Sequence, residues 1–306
     1  MWGTGMLFFL ITFIEQNLWQ IPWFRQSFLQ EVTVQWKANG SMVGAWNQMI
    51  YGTAFYLMVK ISGNKEMAFN KKSIVFYFLG FANLLFNWGH HLYNLPTHNW
   101  MRHVAYIISM TEWILLINII QGFKKTLSDV NRFKHLITYR FLIASEFWVF
   151  LNLILALFMS IPAINRYTHG THVTVAHAMG TTIGINSMIL FAACFEFIGS
   201  KPVSFRPGVR LLNIFFWTGQ AALFVFWLSL NIAGVKKGIW QMSEHQPPFG
   251  KMMEGLRVWF GLFAFSGLVL AVALSLFGFT LLRSYAVGRS LTDEAPGKQR
   301  EKITAV

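Results

Sequence analysis

The sequence predicts an all-α integral membrane protein, a bundle of about eight helices, and three observations predict it. Hydrophobic residues fill 55% of its 306 positions and charged residues only 12%, about half the charged share of a soluble domain. A chain with 31 Phe, 13 Trp and 14 Met, at a mean hydropathy of +0.45, cannot place them all under a charged surface. The apolar residues also fall into runs near the roughly 20 residues that cross a hydrocarbon core. The same figures exclude disorder, collagen, coiled coil and disulfide-stapled secreted scaffolds.

The runs lie at about 6–23, 40–60, 73–93, 101–121, 139–162, 173–198, 211–235 and 256–282. Backbone groups in lipid must bond within their own segment, so each run is read as a helix; the alternation of a membrane barrel is absent. The first run holds Glu15, follows no basic segment and lacks a small-residue cleavage site, so it reads as a span and not a cleaved leader. From Arg283 the chain turns polar. Residues 1–283 are therefore expected to form one transmembrane domain and 284–306 a polar tail. No internal repeat or long linker interrupts the runs.

The 25 basic and 12 acidic residues leave a net charge of +13. The basic residues gather in loops, which reads as attraction to an anionic leaflet and not to nucleic acid. Lys60, Lys65, Lys71 and Lys72 follow the second run; Lys124, Lys125, Arg132, Lys134 and Arg140 follow the fourth; Lys201, Arg206 and Arg210 follow the sixth. The positive-inside rule then puts both termini in the cytoplasm, against one contrary loop with Lys236, Lys237, Lys251 and Arg257. Cys194 is the single cysteine, so no internal disulfide, Cys-pair copper site or Cys-x-x-Cys-His haem attachment can form.

Ionisable groups in lipid are functional candidates by default. His90 and His91 close the third run, and His169, His172 and His177 enter the sixth. Imidazole is a common ligand for iron, copper and haem. Adjacent residues on a helix diverge by roughly 100°, so His90 and His91 meet one metal only where the helix distorts or ends, as Gly89 and Pro96 favour. His98, His103, His135 and His245 read as loop or interfacial histidines. Glu112 and Glu146 fall mid-span and Glu15 and Glu196 inside apolar runs; each could relay protons or stay neutral and bonded to a neighbouring helix.

Tyr167-Thr168-His169-Gly170-Thr171, continuing to Ala176-His177, with Gly89-His90-His91 and the following Glu112, resembles the large, cytochrome b subunit of bacterial nitric oxide reductase, in the haem–copper oxidase superfamily. The similarity runs through nearly the whole chain and matches the last two-thirds of the family's subunit. The resemblance implies that His177 is the proximal ligand of a high-spin haem b. It implies that His90 and His91 are two ligands of a neighbouring non-haem iron or copper, and Glu112 a proton carrier. The family's third metal histidine corresponds to Asn39, its nearby glutamate to Val43, and its low-spin haem ligand to Met179. An amide is a weaker donor than imidazole, and Met179 would need a ligand partner from elsewhere. A low-spin haem is therefore not expected in this chain alone. A second subunit or a cytochrome c is expected as partner, in a bacterial cytoplasmic membrane. The asparagine is also similar to what nitric oxide dismutase-like relatives carry, where no electron supply is needed. A degenerate accessory subunit is a third reading. A transporter would instead show broken mid-membrane helices and a repeat.

Overall fold

The computed structural model describes residues 1–92, 95, 96, 98–199 and 209–294. Among the described residues every regular element is helical. The chain divides into two compact units, Met1–Lys134 with Ser160–Pro162, and His135–Met159 with Ala163–Val306.

The first unit begins with α1 (Trp2–Gln16), two short 3-10 turns and the long α2 (Phe28–Ser62). Ser27 starts α2 as its N-cap, accepting from the Gln30 amide at 3.2 Å, with Glu31 in the first turn to meet the helix dipole. Gly63, at φ +70°, ends it in the left-handed conformation. α1 packs along α2, and Lys37 Nζ bonds both carboxylate oxygens of Glu15 at 2.6 Å. Then follow α3 (Lys71–Phe86), a 3-10 stretch (Asn87–Leu92), α4 (Asn99–Thr126) and the short α5 (Asp129–Lys134). Asn70 caps α3 by accepting from the Ser73 amide at 3.0 Å. Phe76 fills the space between α2 and α3, its ring 5.1 Å from Tyr51 and 6.0 Å from Phe55.

The second unit comprises α6 (Leu136–Ser160), α7 (Pro162–Thr168), α8 (His172–Met179), a π-helical stretch (Gly180–Ser187), α9 (Met188–Gly199), α10 (Val209–Gln241) and α11 (Phe249–Glu294). α10 and α11 form a hairpin packed along its length, and α8 lies on α10. Trp148, Ala176, Leu223, Leu230 and Leu270 form one apolar cluster. A second gathers Phe191, Phe195, Phe216 and Phe277 around Phe141, with centroids 5.2–5.7 Å from its ring.

Each of the eight expected runs overlaps a helix, the first ending in two 3-10 turns beyond Gln16, the third in the 3-10 stretch beyond Phe86, and the sixth covering α8, the π stretch and α9 together. Among the described residues, four helices are long and apolar enough to cross a membrane: Leu136–Ser160, His172–Ile198, Leu211–Gln241 and Phe249–Arg283. The chain is thus a multi-pass membrane protein, and Phe265, Leu268, Phe279 and Leu282 are exposed along α11. α11 continues into the polar segment that begins at 284, as far as Glu294. Leu281-Leu282-Arg283 through Ala286 contains no breaker, so helix propagation carries past the last apolar turn.

Candidate functional site

In the second unit the Thr168–His172 segment is a helix start. Gly170 takes φ +70°, a conformation that a Cβ would strain. Thr171 caps α8: its Oγ1 accepts from the Val173 amide at 3.2 Å and donates to the Thr168 carbonyl at 2.6 Å. Lys237 Nζ on α10 donates to the Gly170 carbonyl at 3.2 Å. Beside Lys237, Gly238 leaves room for the Tyr167 carbonyl, into which a Cβ would run. Gly238→Ala is therefore expected to destabilise the protein by about 1–3 kcal/mol through overpacking against backbone. Gly255→Ala on α11, where a Cβ meets nothing within 4 Å, is expected to be neutral or slightly stabilising. Thermal unfolding of the two variants in the same detergent checks the contrast.

The turn is tight enough to half-bury His169, and burial holds its imidazole below the usual range. A neutral folded ring binds fewer protons than the unfolded chain once pH drops below the ordinary value of 6.5. Stability is thus flat above that pH and falls as pH is lowered toward the depressed folded value. Melting-temperature profiles of wild type and His169→Gln should diverge in that window, the variant losing less on acidification.

One and a half turns on stands His177. Its carbonyl accepts from Asn152 Nδ2 at 2.9 Å and from Thr181 Oγ1 at 3.1 Å, and Asn152 Nδ2 also reaches Thr181 Oγ1 at 2.6 Å. Asn152, on α6, is 2% exposed. The π stretch begins three residues after His177, and α6 grips it at two points. Asn152 Oδ1 would lie 2.6 Å from a Cβ at Gly180, and the Trp148 ring occupies the place of one at Gly184. Trp148 Nε1 donates to Gln220 Oε1 at 2.8 Å, and Gln220 Nε2 to Met188 Sδ at 3.2 Å. Such a widened turn is the usual structure of a π-bulge, and these gather at functional sites. The Nδ1 of His177 is buried with no close hydrogen bond among the described residues, its ring lying beside the Asn152 backbone. A buried imidazole nitrogen without a close hydrogen bond fits a residue whose ring is completed by a bound group. His172 Nδ1 is likewise unpartnered, its ring edge-on to Phe260 at 4.9 Å. Met179 packs against the Trp148 cluster.

The first unit carries the other expected residues. α3 stops at Phe86 and winds into the 3-10 stretch that holds His91, which is the expected helix distortion. His91 is half-buried, and α2 approaches it at Gly40, where a Cβ would lie 2.8 Å from Trp88 Cα and 3.0 Å from His91 Cδ2. Asn39, the neighbour of Gly40, is exposed. The side chains of His90 and Glu112 lie outside the described residues. Among the described residues no three His, Cys, Asp or Glu side chains stand close enough to hold a metal.

Among the other ionisable groups, Glu196 has local partners. Glu196 is 5% exposed, and its Oε2 accepts from Thr138 Oγ1 at 2.9 Å and meets His135 Nδ1 at 3.0 Å. It bonds across to the start of α6, as one of its two sequence readings expects. His98, His103 and His245 are exposed. Asn152 and Gln220 were invisible to a search for ionisable residues, although an amide one helical turn after Trp148 in an apolar run is itself a signal.

Comparison with known proteins follows the same lines. Residues 1–280 match the family described as Cytochrome C and Quinol oxidase polypeptide I. Among solved structures, the chain is similar to a heme-copper terminal oxidase seen as a dimer by cryo-EM, at a TM-score of 0.71 and 14% identity, over 96% of this chain. That likeness is one of fold, and the chain spans about half, 55%, of the length of that oxidase chain. No curated protein matches the sequence.

Proposed function

The chain belongs to the Cytochrome C and Quinol oxidase polypeptide I family, and from that premise we propose that it is a haem-binding membrane subunit of a nitric oxide reductase-like respiratory complex. His177 is the proposed proximal ligand of one high-spin haem b. His90 and His91, with Asn39 as a weak third donor, are the proposed holders of a non-haem iron or copper, and Glu112 the proposed proton carrier. The observation that carries the reading is the buried Nδ1 of His177, with no close hydrogen bond among the described residues, in a chain of this family.

When bound, the haem supplies an iron able to take NO or O2 and to exchange electrons. The chain's own residues do the rest. Asn152 and Thr181 fix the His177 carbonyl, so the ring cannot drift with the helix that bears it. The cap at Thr171 and the Lys237 bond to Gly170 hold the start of that helix. Trp148, Leu223 and Leu230 exclude water beneath α8. Electrons would come from a second subunit or a cytochrome c, and the bacterial cytoplasmic membrane, with both termini inside, is the proposed setting.

The test is the optical spectrum and metal content of the purified full chain with its co-purifying partners, followed by anaerobic NO uptake with a reductant. Haem b absorbance with N2O formation supports the reading; a preparation without haem overturns it. Asparagine at position 39, a poorer donor than the family's histidine there, supports one alternative, a nitric oxide dismutase-like enzyme. Oxygen released from NO without reductant would select it. One haem with no second metal would select an accessory role.

A further inference from the structure

A cleft of about 470 Å3 opens in the first unit between the start of α3 and the end of α4. Met67, Ile119 and Gly122 form part of its lining, and Lys71 and Lys72 also line it. Both lysines are exposed, and neither has an acidic partner among the described residues. Asn70, also in the lining, is committed to capping α3, with its Oδ1 on the Ser73 amide and its Nδ2 on the Glu66 carbonyl at 2.6 Å. The first turn of α3 adds the positive end of the helix dipole to the two ammonium groups. Immediately beyond, Ile74, Val75 and Phe78 are each more than half exposed. Two cations at the start of α3 and an apolar strip along it thus lie beside a cleft whose floor mixes Met67, Ile119 and Gly122 with Asn118 and Thr126.

That sequence of chemistries fits one molecule. We propose that this cleft is a binding site for an anionic phospholipid, with its phosphate on Lys71 and Lys72 and an acyl chain along Ile74, Val75 and Phe78. The position agrees: the lysines directly precede the third apolar run, and Lys124 and Lys125 directly follow the fourth, so both mark one edge of the hydrocarbon. A basic pocket between membrane helices is a physical match for an acidic headgroup, since ammonium groups near lipid phosphate gain most where the dielectric is low. Gly122 keeps the floor open, because a Cβ there meets nothing within 4 Å. A side chain at this position therefore starts into open space, on the lining of the cleft. The site uses none of the residues proposed for haem or metal.

The experiment is native mass spectrometry of the full chain in detergent, titrated with dioleoyl phosphatidylglycerol, dioleoyl phosphatidylcholine or inorganic phosphate. Wild type is expected to retain phosphatidylglycerol and to bind the other two at least about tenfold more weakly. The double variant Lys71→Gln, Lys72→Gln should lose about 30-fold in phosphatidylglycerol binding, roughly the worth of two lysines at a membrane surface. Gly122→Phe, which keeps both charges, should lose it as well. The reference variant Lys251→Gln, Arg257→Gln removes the same charge from exposed positions of α11 and should bind like wild type. Equal binding of both lipids, capture of phosphate alone, or an equal loss in the reference variant would each overturn the proposal. So would full binding by Gly122→Phe.

Discussion

Replacing His177 by alanine is expected to abolish the haem b absorbance of the purified chain while its helical circular dichroism is kept. The imidazole is the proposed protein bond to the iron, and removing it leaves a hole without a donor. His172→Ala, whose ring rests on Phe260, should keep the absorbance. His177→Gly soaked with free imidazole should recover part of it, which a misfolded chain could not. Asn152→Leu tests the layer behind. Asn152 acts through the His177 carbonyl, so its loss should leave haem in place but shift the iron–histidine stretching frequency and weaken retention. Outer partners of metal ligands are typically worth about 10–100-fold in affinity. Undiminished absorbance in both His177 variants would remove the basis of the proposed function.

The helices were legible in the sequence because membrane spans are written in composition and length, two properties that need no partner. All eight runs therefore overlap helices. The helix distortion at His90 and His91 was legible for the same reason: Gly89 and Pro96 are local signals. What was not legible depends on contacts far apart in the chain. The π stretch at Gly180–Ser187 has no composition of its own; it exists where Asn152 and Trp148 on α6 press against Gly180 and Gly184. Glu15 left two readings open, and the fold brought Lys37 of α2 to it across 22 positions. Glu196 left two readings open, and the fold alone supplied Thr138 and His135. The candidate residues His177 and His91 could be named from their motifs. The amide that positions the first could not, because Asn152 carries no charge and belongs to no motif.

Trp148→Ala is expected to destabilise the protein by about 3–5 kcal/mol, the range for removing a large aromatic from a packed core. Trp148 is fully buried, and its indole reaches two neighbours at once. The ring face sits where a Gly184 Cβ would be, and the Nε1 donates to Gln220. Trp148→Phe separates the two contributions: it keeps most of the ring but leaves Gln220 Oε1 without its donor. Such a stranded acceptor costs about 1–3 kcal/mol. Gly184→Ala acts from the other side. Alone, its methyl meets the indole and should cost about 1–3 kcal/mol by overpacking. In the Trp148→Ala background the obstacle is gone. There the same substitution should be neutral or stabilising by up to about 1 kcal/mol, because alanine is the better helix former. The two changes should therefore be strongly non-additive, with a coupling of about 1–3 kcal/mol, as expected for residues in direct contact. Detergent unfolding followed by circular dichroism measures all four corners of the cycle. Simple additivity would mean that the indole does not rest on Gly184. The grip of α6 on the turn after His177 would then reduce to Asn152 alone.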